Sequence, residues 1–513
     1  MEKNSSRTAN TVRNVLYGYV STAVTMVMQF VSRTVFIQTI GVYYLGINGL
    51  FTSVLGILSL TELGIGSAIN FSLYKPVAEK DYEKIKALMG LYKKAYRVIA
   101  AIVTVIGLVL IPFLPYLVND AENIPDVKIY YLVFLFNTVS TYFVSYKYGL
   151  VNAEQKNYII NNFNSVSTFF ITIVQIIVLV LTKNYMVYLL VYAGLQVCQK
   201  IGIGIYINRK YPYLKGKNFT PLEKSETEKI KKNVFALMVH KIGEISVYQT
   251  DNIIISSFIS VVLVGKISNY NLIITSVSTF IMIVFNSVTS SVGNLIASES
   301  KERQLEVFEI YNFLGFWLYG FAAVCYFVLF QPFITLWIGE ENLIDEFSLA
   351  LIILSQYLTG QRLTVNNMKT AGGIFEQDKL VSLLQGGVNL VVSVICAKLW
   401  GLPGVYVGTV VSGFCANIIR PVIVYKKLFD KSSTEYFIKF TEYLLVTVAV
   451  CAGLRIGLNS LITEVTILNF ILLAVICVVV SNGAFAICFC RSKEFKGLLK
   501  RVTAIASAYI KRQ

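Results

Sequence analysis

Long apolar runs alternate with short basic or turn-forming segments along the whole chain. Runs centred near 26, 58, 107, 139, 171, 196, 246, 279, 321, 357, 390, 412, 448 and 476 give about fourteen stretches able to cross a hydrocarbon layer ~30 Å thick. Backbone polar groups inside lipid must be satisfied within the segment, so these runs are expected to be helices. A β-barrel would require short alternating segments, and runs such as 171–181 do not alternate. The expected fold is all-α: a polytopic membrane protein of about 14 transmembrane helices. The polar start, Met1–Asn10, precedes a span too long for a cleavable signal, so the first helix is expected to be retained.

The pattern repeats at an offset of about 220 residues. Val109-Leu110-Ile111-Pro112-Phe113 is answered by Val328-Leu329-Phe330-Gln331-Pro332-Phe333. Lys147 followed by Glu154-Gln155 is answered by Lys369 followed by Glu376-Gln377. About six spans separate the partners, and an even number makes the two copies parallel in the membrane. The expected organisation is an N-lobe (1–210, helices 1–6), a basic cytoplasmic linker (211–232) and a C-lobe (233–430, helices 7–12). An extra helix pair with a basic tail (431–513) has no counterpart in either lobe. The stretch Lys75–Arg97, with Val77, Ile85, Leu88 and Leu91 among lysines, reads as an amphipathic helix along the inner surface.

Polar positions inside the spans fall on faces. Thr22, Thr25, Gln29 and Arg33 share one side of the first helix, at i, i+3, i+7 and i+11. His240, Glu244, Tyr248 and Asp251 do so on the seventh, and the offset maps Arg33 onto Asp251. The fourth carries Asn137, Thr141 and Ser145, and the tenth carries Ser355, Thr359, Arg362, Asn366 and Lys369. Ionisable groups in spans are costly and usually face a cavity or a partner. A central cavity lined by the first, fourth, seventh and tenth helices is therefore expected. Glu62 sits beside glycines, as an ion-pair partner or a cavity carboxylate. Lys200 and Arg420 lie near inner helix ends and are expected to snorkel.

Only 14% of residues are charged, 55% are apolar, and the net charge is +16. The basic excess does not imply nucleic acid. Outside the spans, few cations fall in outer loops: Lys128, Lys183, Lys266, Lys398 and Arg455. Most of the others lie in inner segments. This is the positive-inside pattern, which puts both termini in the cytoplasm and adds attraction to anionic lipids. The eight cysteines lie in or beside apolar runs with no metal-ligand spacing. His240 is the chain's only histidine, so the zinc motif that Glu244 would complete is absent. Gly202-Ile203-Gly204 and Gly372-Gly373 belong to membrane helices rather than phosphate loops.

Tyr44-Leu45-Gly46 leads to Leu63-Gly64-Ile65-Gly66-Ser67-Ala68 in the first half. Asp251-Asn252-Ile253-Ile254-Ile255-Ser256 leads to Val264-Gly265 and Ser268 in the second. On these motifs and the repeat, the chain resembles the multidrug/oligosaccharidyl-lipid/polysaccharide exporter superfamily. Within it, the resemblance is to the oligosaccharide flippases of the polysaccharide transporter family. It implies a carrier rather than an enzyme, in the bacterial cytoplasmic membrane, without a cofactor. The implied activity flips undecaprenyl-diphosphate-linked oligosaccharides for capsule, O-antigen or related polymers. The membrane potential, H+ or Na+ would drive it, and the pathway's polymerase and glycosyltransferases would be its partners. An ion-coupled multidrug exporter of the same superfamily is one alternative, and a membrane glycosyltransferase or polymerase is another. A diphosphate suits Arg33 and Arg362, with Lys241 as a further cation. Arg33 and Asp251 are expected to act as a gate pair, on opposite lobes at similar depth.

Overall fold

The apolar runs fold as helices. The structure, a computed structural model, describes residues 22–62, 65–118, 126–154, 156–215, 227–228, 230, 234, 243, 245, 247, 249–374, 376–459 and 464–510. Among the described residues, 11 helices are long and apolar enough to cross a membrane. The remaining runs show why the expected fourteen are not all found. The run near 58 is split into α2 (Val42–Leu58) and α3 (Ile65–Glu79) by a 3-10 turn, Ser59–Glu62. The run near 357 forms a 26-residue helix interrupted by polar side chains. The run near 246 lies largely outside the described residues.

The chain divides into two units, Met1–Ser268 and Asn269–Gln513. The first contains α1 (Thr22–Ile40), α2, α3, α4 (Tyr82–Leu110), α5 (Leu114–Leu117), α6 (Val127–Ser145) and α7 (Tyr148–Ala153). It continues with α8 (Asn157–Thr182), α9 (Tyr185–Lys210), α10 (Thr250–Phe258) and the start of α11 (Val261–Ser298). Its core is aliphatic and tyrosine-rich, with Ile47, Leu50, Phe51 and Tyr131 fully buried.

Residues 75–97 do not form the expected surface helix. The chain turns at Lys80, whose φ is +57°, and the Asp81 carboxylate caps the next helix at the Lys84 amide. Residues 82–97 are then the first turns of the 29-residue α4. Ile85 and Leu88 enter the core, so the apolar stripe is a packing face.

The fragments that carried the resemblance meet in this unit. A Cβ on Gly46 would lie 1.9 Å from the Val261 carbonyl oxygen, and one on Gly265 would lie 2.2 Å from that of Val42. α2 and α11 thus touch backbone to backbone, which only glycine permits at both positions. Asn252 donates to the Ser53 hydroxyl (3.0 Å) and Ser256 to the Leu117 carbonyl (2.7 Å), fixing α10 against α2 and α5.

The second unit holds the rest of α11, then α12 (Lys301–Ile338), α13 (Glu346–Ala371), α14 (Lys379–Trp400) and α15 (Leu402–Val424). α16 (Thr434–Asn459), α17 (Ile467–Phe489) and α18 (Lys493–Ile510) follow. α14 and α15 meet through Gly404 and Gly408, where a Cβ would lie 2.0 Å from the Cys396 carbonyl oxygen and 2.1 Å from the Ser393 hydroxyl. α16 and α17 pack on α12: Phe316 stacks on Tyr443 at 4.3 Å, and the Trp317 indole donates to Asn482. The outer side of α17 exposes Ile467, Ile471, Val475 and Val478, an apolar stripe suited to lipid.

Three charges form a knot inside this unit. Asp378 is fully buried, and Lys369 and Arg420 both bind it, the Arg420 Nε at 2.7 Å from Oδ1. The Arg420 Nη2 also donates to Ser382 at 3.0 Å. Arg420 therefore does not snorkel as expected. Its partner is an acid on the loop before α14, which had no role in the sequence reading.

Replacing Gly46 or Gly265 by valine must push two backbones apart. Each variant should lose about 1–3 kcal/mol, read as a lower unfolding temperature in detergent. Asp378→Asn leaves two buried cations facing no acid. A loss of about 3–5 kcal/mol is expected, seen as a melting shift larger than that of Lys301→Gln at an exposed pair.

Candidate functional site

The polar face of α1 is present and has neighbours on two sides. Thr22 is half-buried. Thr25 and Gln29 line a cleft of about 260 Å³ against Ser165, Thr168 and Thr172 of α8. One turn further on, the Arg33 Nη1 donates to the Ser268 hydroxyl at 2.8 Å. Ser268 lies one turn beyond Gly265 and is itself held by the Gly265 carbonyl at 2.7 Å. The glycine crossing of α2 and α11 therefore sets where the partner of Arg33 stands. Phe36, again on this face, packs edge-on against Tyr188 at 5.3 Å, and Tyr188 stands beside Arg33.

Tyr188 begins a polar stripe on α9 that the sequence reading missed. Tyr188, Tyr192, Gln196, Lys200 and Gly204 recur every four residues, so the stripe advances ~40° per step and winds nearly halfway round the helix over ~24 Å. The Tyr188 and Tyr192 rings are parallel within 11°, with centroids 6.5 Å apart. The Gln196 amide donates to the Tyr192 hydroxyl at 3.3 Å. The Lys200 Nζ donates to the carbonyl of Asn137 (2.7 Å), its side-chain oxygen (2.7 Å) and the Ser140 hydroxyl (2.9 Å). Lys200 thus turns into the unit toward α6 instead of snorkelling to an inner end, and Asn137 acts as its acceptor. At Gly204 the backbone carbonyl receives the Lys147 amine at 3.4 Å. The repeat of four was present in the sequence, but among these residues only Lys200 drew notice, as a snorkelling end.

Arg33, Lys200 and Lys147 make no ion pair among the described residues. Their partners are hydroxyls, a carboxamide and carbonyls. The carboxylate of Glu62 is not among them. It sits in the break between α2 and α3 and accepts from the Tyr96 hydroxyl. Asp251, in the first turn of α10, is half-buried. Arg33 is hydrogen-bonded to Ser268 in this state rather than to Asp251. His240, Lys241, Glu244 and Tyr248 lie outside the described residues.

In the second unit Arg362 is buried, 4% exposed. Its Nη1 donates to the Gly413 carbonyl (3.3 Å) and the Asn417 side-chain oxygen (3.0 Å), so it ties α13 to α15. Asn366 follows one turn later and is half-buried. Other charges of this unit are answered by acids. Lys369 and Arg420 bind Asp378, Lys439 binds Glu309 and Glu494, and Arg455 holds Glu346 through both carboxylate oxygens at 2.7 Å.

Comparison with known structures shows the same fold in transporters. The lipid II flippase MurJ, in an inward closed conformation, matches with a TM-score of 0.63 at 14% identity, covering 92% of this chain and 99% of that one. An inward-facing multidrug resistance MATE family transporter of the MOP superfamily matches with a TM-score of 0.60 at 15% identity, over 79% and 94%. A mutant form of the Vibrio cholerae MATE transporter VcmN matches with a TM-score of 0.55 at 16% identity, over 83% and 98%. Comparison with curated proteins gives no match. The family model described as "Polysaccharide biosynthesis protein" matches residues 11–292, more than half of the chain. A multi-pass helical protein with this repeat and this match belongs to the polysaccharide biosynthesis protein family, and it shares its fold with a lipid II flippase and with multidrug transporters.

Proposed function

We propose that the protein flips diphosphate-linked oligosaccharides on a polyprenyl lipid across the cytoplasmic membrane, with both termini in the cytoplasm. The observation that carries this reading is a pair of cations in the membrane helices of the first unit with no acid against them among the described residues. Lys369, Arg420, Lys439 and Arg455 in the second unit are neutralised by acids. Arg33 and Lys200 in the first are held, among the described residues, by neutral dipoles alone. A charge inside a membrane helix without a counter-ion is costly, and such residues mark a pathway for an oppositely charged cargo. A diphosphate carries about two negative charges and takes Arg bidentately. The aromatic faces of Tyr188 and Tyr192, with the amide of Gln196 beside them, offer the sugar moiety stacking surface and hydrogen bonds. The fold shared with the lipid II flippase MurJ supports the same class of cargo.

Direction needs no nucleotide. A potential negative inside favours outward movement of an anion by ~2.3 kcal/mol per charge per 100 mV, or about 4–5 kcal/mol for two charges. Arg362 enters this reading as a structural residue, because its Nη1 is held by Gly413 and Asn417 within the second unit.

The test is transport by purified protein in vesicles containing a fluorescent polyprenyl-diphosphate oligosaccharide, with an impermeant quencher outside. Arg33→Ala and Lys200→Ala should each slow flipping at least about tenfold, the effect of losing one charge-assisted hydrogen bond. Arg33→Lys should retain part of the rate. Cells lacking the protein should accumulate finished lipid-linked units on the inner face. Wild-type rates in both alanine variants would sink the proposal. Export of unpolymerised units by the deletion strain would point to a polymerase instead.

A further inference from the structure

The two halves treat the same repeated lysine in opposite ways. Lys369 in the second unit is buried against Asp378, which also binds Arg420. At the same offset, Lys147 is its partner in the first unit, and Lys156 stands where Asp378 would be. The sign at that position is reversed. Lys156 pairs with Glu154 at 2.6 Å, and Glu154 also accepts from the Tyr211 hydroxyl at 2.7 Å. The acid near this corner is therefore already occupied.

Among the described residues, Lys147 is left with one long hydrogen bond, 3.4 Å to the Gly204 carbonyl, beyond the usual 2.7–3.2 Å range. α4 packs on this corner through Tyr92 against Gly149 and Tyr96 against Tyr142 at 6.0 Å, which brings Lys93 toward Lys147 and the exposed Arg97, one turn further along α4, toward Tyr146, whose ring lies 5.9 Å from the Lys147 Nζ. Neither Lys93, Arg97 nor Lys147 forms an ion pair among the described residues. Lys147 is half-buried, and so is Lys93. Three like charges gathered at a helix junction are unfavourable unless an anion joins them. Burial, and then the neighbouring Lys93 ammonium, hold the Lys147 amine below its usual range. The amine lies close over this turn of α9: a Cβ on Gly204 would meet the Lys147 Nζ at 3.5 Å, an ordinary contact. Lys200 follows one turn up the same face of α9, with Tyr188 and Arg33 beyond it.

We infer that Lys93, Arg97 and Lys147 form an anion site that receives the diphosphate of the lipid-linked cargo before it reaches Lys200 and Arg33. This inference rests on the flippase reading and adds an entry point to it. Two ammonium groups and one guanidinium match the charge and the oxygens of a diphosphate better than those of a single phosphodiester. Anion binding restores the favourable environment of the Lys147 ammonium. Affinity is thus strongest where Lys147 is protonated and falls as the pH rises through its folded pKa.

The experiment measures binding of geranylgeranyl diphosphate to the purified full-length protein in detergent. Inorganic pyrophosphate and phosphatidylglycerol serve as competitors. Lys147→Gln and Arg97→Gln should each weaken binding about tenfold. Lys147→Arg should keep most of it, and the control Lys426→Gln, at an exposed position, should leave it unchanged. The fall in affinity with rising pH should be reduced in Lys147→Gln. Unfolding temperatures identify any variant that fails to fold, and Lys93→Gln provides an independent third arm. Wild-type affinity in the Lys93, Arg97 and Lys147 variants overturns the inference while leaving the flippase reading in place. Phosphatidylglycerol competing as well as the diphosphate also overturns it, marking a surface for bulk anionic lipid. Absence of any diphosphate binding by the wild-type protein overturns both.

Discussion

A charge placed among apolar helices must be answered, by an acid or by neutral dipoles, and the two answers have different consequences. In the second, Asp378 accepts both Lys369 and Arg420 with no exposure to solvent. Glu309 and Glu494 hold Lys439, and Glu346 holds Arg455. A buried pair adds little net stability, because desolvation offsets much of the attraction, but losing one member exposes the full penalty. These pairs therefore fix how α12, α13, α14, α15 and α16 stand against one another. Three cations of the first unit have neutral answers among the described residues: a serine for Arg33, an asparagine and a serine for Lys200, a distant carbonyl for Lys147. Dipoles hold a cation in place without neutralising it. The first unit thus keeps the positive field on which the proposed flippase reading draws.

Position in the first unit depends on close backbone contact. Gly46 and Gly265 let α2 and α11 touch, and Ser268 follows from that crossing. The tyrosines then extend the arrangement. Tyr44 stacks on Tyr185 at 4.4 Å, the Tyr185 hydroxyl donates to Asn48 at 2.5 Å, and Phe36 bridges Tyr185 and Tyr188. α1, α2 and α9 are thereby coupled through rings, and the buried Tyr185 hydroxyl finds its partner in Asn48. The break at Ser59–Glu62 places a carboxylate beside Tyr96, at a point where an unbroken helix would have turned it elsewhere.

The sequence by itself determined the fold class and the repeat. Apolar runs of about 20 residues can satisfy their backbone inside lipid only as helices, so hydropathy suffices to find them. It also determined that polar residues share helix faces, because the ~3.6-residue helical period is local. Tertiary structure decided which partner each polar side chain meets. Lys147 and Lys369 are equivalent in the sequence, yet one meets an acid and the other does not, because the residue across the turn changed from Asp378 to Lys156. Arg420 and Lys200 both looked like snorkelling ends, and both turn inward to partners on another helix. The stretch 75–97 looked like a surface helix, because an amphipathic stripe is the same whether it meets lipid heads or a protein core. Periodicity records that a face is apolar or polar. Which partner that face meets depends on contacts between residues far apart in the chain, and those exist only once the helices have packed.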